Sequence, residues 1–238
     1  MTDGAGLFRY DGAILERYPG IVGGMIAAEG LSNRPASNEL REAFTAEQAA
    51  VIERVGAAPL SEIPALAAWR RAFSGFGVDP TKYRSAAEAL LRRLTKQGEL
   101  PSIGTLVDIG NLVSIRHALP VAVIDRRAIT EGVVVRFAVG DEQWADLGSS
   151  TSEHPDPGEV VFVDARDSVI ARRWCWRQSL DSAARDDTTD VLITVEGHHA
   201  GAQGTVATAL DHLEALLREH APPATLRRAV LTRDAPTF

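Results

Sequence analysis

The chain is short of the residues that usually announce a chemistry. Its single cysteine, Cys175, can form no internal disulfide and has no cysteine companion for a metal site. A catalytic thiol would need an activating base that the sequence does not identify, so a partly buried structural cysteine is the favoured reading. No apolar run approaches the roughly 18 uncharged residues needed to cross a bilayer. The opening stretch MTDGAGLFRYDGAILERYPG lacks a basic start followed by an apolar block, which argues against a targeting segment and leads to the expectation of a cytoplasmic protein. Also missing are a phosphate-binding glycine loop, a His-Glu-x-x-His zinc motif and a glycine-framed serine elbow, so the standard enzyme classes they mark lose weight. Neither cofactor nor metal is expected. His198 and His199 are adjacent, and neighbours on an extended chain point in opposite directions, which favours a solvated loop over a metal site.

What is present suits a folded protein. Across 238 residues, 45% are hydrophobic and 24% charged, enough for one substantial core and far from a disordered composition. The expected organisation is one domain over residues 1–238, with residues 1–79 as a helical N-terminal part packed on it. A net charge of −7 argues against sequence-independent binding to duplex DNA, whose affinity comes from many basic contacts.

Apolar periodicity predicts helices over Asn38–Val55, with Leu40, Phe44, Val51, Ile52 and Val55 inward, and over Ile63–Phe73, started by Pro64. A third spans Tyr83–Leu94, with Ser85 as N-cap and Ala89, Leu90 and Leu94 inward. Ile14–Leu31 reads as a strand pair or a bulged strand. Beyond Gly98 strand signals take over, at Val121–Ile124, Gly132–Val139, Glu159–Val163, Val169–Trp176 and Val191–Val195, with helices at Leu106–Ile115 and Thr205–Glu219. The tail from Ala221 reads as a loosely held extension. This pattern is α+β, a β-rich core flanked by helices.

The most informative stretch is GEVVFVDARDSVIARRWCWRQS, Gly158–Ser179. Arg172, Arg173 and Arg177 can neutralise phosphates, while Trp174 and Trp176, two apart on a strand, would share one face for stacking a base. Lys82, Tyr83 and Arg84, just before a helix, could hold a phosphate or carboxylate, or be solvated charge. Asp108 and Asn111 would share a helix face; Asn111 can fix a ribose or carbonyl, or the two can anchor a loop. Asp125 suits a turn or ion-pair anchor. Arg136, amid VVVRFAV, must reach an edge or find a carboxylate.

Several ordered segments together resemble the B3/B4 domain of the phenylalanyl-tRNA synthetase beta subunit. LVDIGNLVSIRHALPVAVID (residues 106–125) has its VD-x-x-N opening and Pro-x-x-x-x-Asp ending, and VVVRFAVGDEQWADLGS is similar to its Val-Arg-x-Ala strand and acidic turn. GEVVFVDARDSVIA and TTDVLIT resemble its paired strand and its closing Thr-led strand. The resemblance covers roughly residues 80–195 and implies a sandwich-like α+β fold of mixed sheets. It further implies either a freestanding deacylase hydrolysing mischarged aminoacyl-tRNA in trans, or a tRNA- or aminoacyl-ligand-binding protein without chemistry. The implied partner is the aminoacylated 3′ end of tRNA, with no role for DNA or membrane. Asn111, Asp125 and Arg136 match the family pattern. The pattern's His, glycine-rich stretch and Glu are replaced by Ala122, RRWCWRQS and Thr194, with Glu196 following. On this reading Asn111 and Gln178 orient the ester, while Tyr83, Arg84, Asp125 and Arg136, with Arg172, Arg173, Trp174, Trp176 and Arg177, bind substrate.

Overall fold

The computed structural model describes residues 6–145 and 152–238. Its first half runs β1 (Phe8–Tyr10), α1 (Gly12–Arg17), β2 (Val22–Glu29), α2 (Asn38–Val55), α3 (Pro64–Gly75), α4 (Ala86–Gln97) and α5 (Thr105–His117). The chain continues through β3 (Val121–Asp125), β4 (Val133–Phe137), β5 (Trp144–Ala145), β6 (Ser152–Glu153), β7 (Val160–Val163), β8 (Val169–Arg172) and β9 (Arg177–Gln178). It ends with β10 (Val191–Gly197), α6 (Ala202–His220) and β11 (Thr225–Leu231).

Strand β10 shows how the layers arise. All seven of its residues are buried, and alternation sends them to two different cores. Val191, Ile193 and Val195 join a cluster built with α2, α4, α5 and α6, whereas Leu192 joins a second cluster with Phe162, Ile170 and Trp174. The antiparallel sheet β11–β2–β10–β3 is therefore covered by helices on one face. Its other face packs on the sheet β1–β4–β7–β8–β9, in which only β1 and β4 run parallel. The outer face of that second sheet is closed by Trp144 over Val161, Val163 and Val169. The architecture is α+β, two sheets face to face with helices on one side, as expected. Strands β1 and β2 place part of the N-terminal segment inside both sheets.

Several local expectations are met for clear reasons. Helix α2 has the predicted bounds because Ser37 Oγ accepts from Leu40 N at its start and Gly56, at φ 53°, ends it. Ser85 caps α4, accepting from Glu88 N.

Others are corrected. Ile14–Leu31 is no strand pair: Asp11 caps a short helix, α1, and one strand follows. Ile52 is 37% exposed. In α4 the buried set is Ala87, Leu91 and Leu94, with Ala89 exposed, because Glu88 turns inward to meet Arg70 at 2.7 Å. An apolar period cannot register a buried ion pair. The stretch Val169–Trp176 is not one strand, since the backbone leaves β8 after Arg172. The tail is not loose: β11 pairs with β2 from Thr225↔Glu29 to Leu231↔Gly23, and Phe238 N donates to Phe8 O at 2.8 Å. The end of the segment read as an acidic turn, residues 146–149, lies outside the described residues. Among the described residues no helix is long and apolar enough to cross a membrane.

Removing residues 222–238 strips β2 of its β11 partner and exposes its edge. At a net ~0.5–1.5 kcal/mol per lost hydrogen bond, the truncation should lower the melting temperature by about 10 °C or more. Calorimetry on the truncated chain checks this, and an unchanged transition would mean β11 contributes nothing to the sheet.

Candidate functional site

Glu196 sits on β10 with its side chain between the two sheets, 2% exposed. Two donors meet its Oε1: Tyr10 Oη at 2.6 Å and Trp174 Nε1 at 3.1 Å. Tyr10 reaches it across Gly23, which pairs with Glu196 in register on β2 and where a Cβ would collide with the Tyr10 hydroxyl. Trp69 Nε1 donates to the main-chain oxygen of Glu196 at 3.4 Å. Burial outweighs these donors and pushes the Glu196 carboxyl up to about 7, while burial and the nearby carboxylate raise Tyr10 well above its ordinary value.

Trp174 arrives there by an unusual turn. Arg173 and Trp174 both take left-handed backbone conformations, at φ 45° and 62°, which non-glycine residues adopt at some cost. Trp174 N donates to Val160 O at 2.6 Å and Ala86 N to Cys175 O at 2.8 Å, so the turn is held from both sides. Its effect is to drive Trp174 fully into the core and leave Trp176 partly exposed at the rim. The two tryptophans do not share a face, as a straight strand would have required.

Beneath this turn lies a cavity of about 90 Å³. Ala122, Phe162, Trp174, Trp176, Thr194 and Glu196 are among its walls, which are mostly apolar with one carboxyl. Cys175 also borders it, but burial and Glu196 raise its thiol well above the ordinary range, which keeps it protonated and poorly nucleophilic.

The predicted site residues separate into three groups. At the cavity or its rim are Trp174, Trp176, Arg177 and Gln178. Gln178 is committed as an anchor: its amide nitrogen donates to Val123 O at 3.0 Å and Ser182 O at 2.6 Å, which uses both of its hydrogens. Tyr83 and Arg84 are near neighbours of the rim. The Tyr83 ring meets Trp176 edge-on at 5.1 Å, and Arg84 lines an outer basin that also includes Trp176 and Arg177.

Arg172 and Arg173 border the rim but are sequestered. Arg172 is held by Glu159 at 2.8 Å and Glu153 at 3.3 Å, and Arg173 lies 3.6 Å from Glu159 and 3.7 Å from Asp156 while stacking over Tyr83 at 4.0 Å. Their charges are spent inside the protein.

Three residues stand apart. Arg136 faces the outside of the second sheet, paired with Glu142 and Asp167. Asp125 closes the far end of β3 as an anchor for Arg127 and Thr188. Asn111 is on α5, in the helical layer, so the four-stranded sheet separates that helix from the cavity, and Asn111 is not among the cavity's lining residues. Asn111 and the Trp/Arg segment thus do not line one cavity: of β3, Val123 packs in the helical cluster, while Ala122 and Val121 border the cavity. Asp108 is a loop anchor, accepting from Ile103 N at 2.8 Å and from Ser102.

Sequence reasoning missed Tyr10, Gly23 and Trp69, which converge on Glu196 from far along the chain. The histidine pair is not a solvated loop either: His198 packs edge-on to Trp69 and Trp174 at 4.4 and 4.8 Å, and burial pushes its pKa down to about 3. Among the described residues no cluster of three or more His, Cys, Asp or Glu side chains is arranged to hold a metal.

A family model described as the B3/4 domain matches residues 68–221. No curated protein matches the chain. A solved structure similar to it is an N-terminal fragment of the phenylalanyl-tRNA synthetase beta subunit from Pyrococcus horikoshii, with 12% identity and a TM-score of 0.42 over 87% of this chain and 48% of that one. This chain thus spans about half the length of that fragment.

Two outcomes follow from the geometry. Arg172→Ala removes the shorter of the two ion pairs of the buried Glu159, leaving Arg173 at 3.6 Å, and should cost about 2–3 kcal/mol in a denaturant titration, whereas Arg177→Ala, at an exposed position, should cost less than about 1. For Glu196, the folded state binds the proton more tightly than the unfolded chain, whose carboxyl titrates near 4.5. The stability it contributes is complete below that value and is lost as pH rises through about 7. Melting temperatures between those two pH values should therefore fall more steeply for the wild type than for Glu196→Gln, and parallel curves would show that Glu196 titrates normally.

Proposed function

Because the chain belongs to the B3/4 domain family, we infer that it has a tRNA-associated role and acts as a freestanding deacylase that hydrolyses mischarged aminoacyl-tRNA in trans. Residues 1–238 are taken as a single B3/4-like unit. The observation that carries the chemistry is the buried Glu196 carboxyl, poised near neutrality in the wall of a small, mostly apolar cavity. An aminoacyl ester is already activated, so a positioned water and a base suffice. Glu196 takes the proton as water attacks the ester carbonyl, the Thr194 hydroxyl in the same wall supports the developing oxyanion, and collapse of the tetrahedral adduct returns the proton to the departing ribose oxygen. Trp176 and Arg177, at the rim, receive the terminal adenosine.

The second reading, a tRNA- or aminoacyl-ligand-binding protein without catalysis, is favoured by one observation. Of the two expected polar orienters, Gln178 has its amide hydrogens committed to main-chain oxygens and Asn111 is not among the cavity's lining residues.

A panel of aminoacylated tRNAs separates the two. The deacylase reading expects ester loss from at least one species, with a rate rising through pH about 7. Glu196→Gln should lower kcat by about 10²-fold or more, without loss of tRNA binding. Trp176→Ala should lose activity at an unchanged melting temperature. No release from any species, at enzyme levels where a synthetase editing domain clears its substrate, leaves the binding reading.

A further inference from the structure

Trp176 and Arg177 belong to two concave surfaces. Inward lies the cavity, and outward lies an open basin of about 340 Å³ whose other walls are Lys82, Arg84, Ala89 and Arg92. Four of these six residues are cations and none is acidic, in a chain whose formal net charge is −7. Arg172 on β8 and Arg173 in the turn after it are each held by two carboxylates, whereas the basin's Arg84 faces Glu88, which it shares with Arg70. Arg84 Nε lies 3.7 Å from Glu88 Oε1, beyond hydrogen-bond reach, and is buried with no hydrogen-bond partner, while that same carboxylate oxygen is taken by Arg70 at 2.7 Å. Lys82 sits over the Tyr83 ring at 5.0 Å and is exposed. Ala89 and Arg92, three apart on α4, share a face, and the small alanine leaves the basin its depth. At the shared rim the Arg177 guanidinium lies 4.5 Å from the Trp176 ring, so a flat ligand meets a cation and an aromatic surface together.

We propose that this basin is a phosphodiester subsite. It holds the backbone of a single-stranded RNA end on Lys82, Arg84 and Arg92, and that strand crosses the Trp176–Arg177 rim so that only its last sugar reaches the cavity. The inference rests on the aminoacyl-tRNA reading and adds the path of approach. A single strand fits better than a duplex because the cations occupy one small concavity on an otherwise acidic protein, and because only a flexible backbone can bend from the basin over the rim into the small adjoining cavity.

The test is the Lys82→Glu, Arg92→Glu double variant of the full chain, compared with wild type and Glu196→Gln. Three quantities are measured: affinity for a short single-stranded RNA across a salt series, KM for aminoacyl-tRNA, and hydrolysis of an aminoacyl-adenosine, which has no backbone phosphates. With about 0.7 counterions released per neutralised phosphate, the three phosphate-holding cations give a log–log salt slope of about −2.1, which should flatten by about 1.4 in the double variant, with more than about tenfold weaker binding at ~0.1 M salt. KM should rise by a similar factor, while aminoacyl-adenosine turnover and melting temperature stay as in wild type. Wild-type-like RNA affinity and slope in the double variant overturn the subsite, even if Glu196→Gln abolishes hydrolysis and so upholds the deacylase. Absence of hydrolysis in every protein, with RNA binding lost only in the double variant, upholds the subsite and removes the deacylase.

Discussion

Glu196 stands where the two sheets meet, and the surrounding residues are arranged to make its carboxyl tolerable there. Stripped of water, a carboxyl must be hydrogen-bonded or neutralised. Tyr10, from near the start of the sequence, and Trp174, from the turn after β8, supply the hydrogen bonds, and the shift toward neutrality supplies the rest. Gly23 is glycine because the tyrosine hydroxyl occupies the space of its side chain. The left-handed pair Arg173–Trp174 is tolerated because the turn it makes delivers the indole nitrogen to the same oxygen. Strand pairing, a close backbone approach and local strain thus serve one group.

The same turn sorts the arginines. On a straight strand Arg172, Arg173 and Arg177 would have formed a continuous basic ribbon. Instead the first two are drawn against Glu159, a buried carboxylate, and the third is carried past the turn to the rim. Buried ion pairs of this kind contribute little net stability relative to apolar packing, but leaving one partner alone is costly. Their role here is to lock the base of the turn, so that Trp176 and Arg177 are presented from a rigid support.

A consequence is that the protein separates its functions by layer. The helical layer with α5 and Asn111 belongs to the fold, as do Asp125 at the end of β3 and Arg136 on the outer face of the second sheet. These are the three positions that match the family pattern, and in this chain two of them are visibly occupied with structural ion pairs. The positions where the chain departs from that pattern, Ala122, Thr194 and residues 174–178, border the cavity together with Pro120, Val121 and Phe162 from segments that resemble it.

Much of the scaffold was legible because its causes are local. Ser37, Pro64 and Ser85 start helices through their own side chains or ring, Gly56 and Gly98 end them through positive φ, and the short apolar, β-branched run Val191–Val195 marks a buried strand whichever partner it finds. Burial of Glu88 and pairing of β11 with β2 were not legible, since each depends on a residue far along the chain. By itself the sequence determined the periods, caps and order of segments, because these follow from a residue and its near neighbours. Only the tertiary structure decided that Glu196, Tyr10, Gly23 and Trp174 form one cluster and that Asn111 lies apart from it. Pairing across a sheet and the side to which an alternating strand points are settled when distant segments compete for the same buried space.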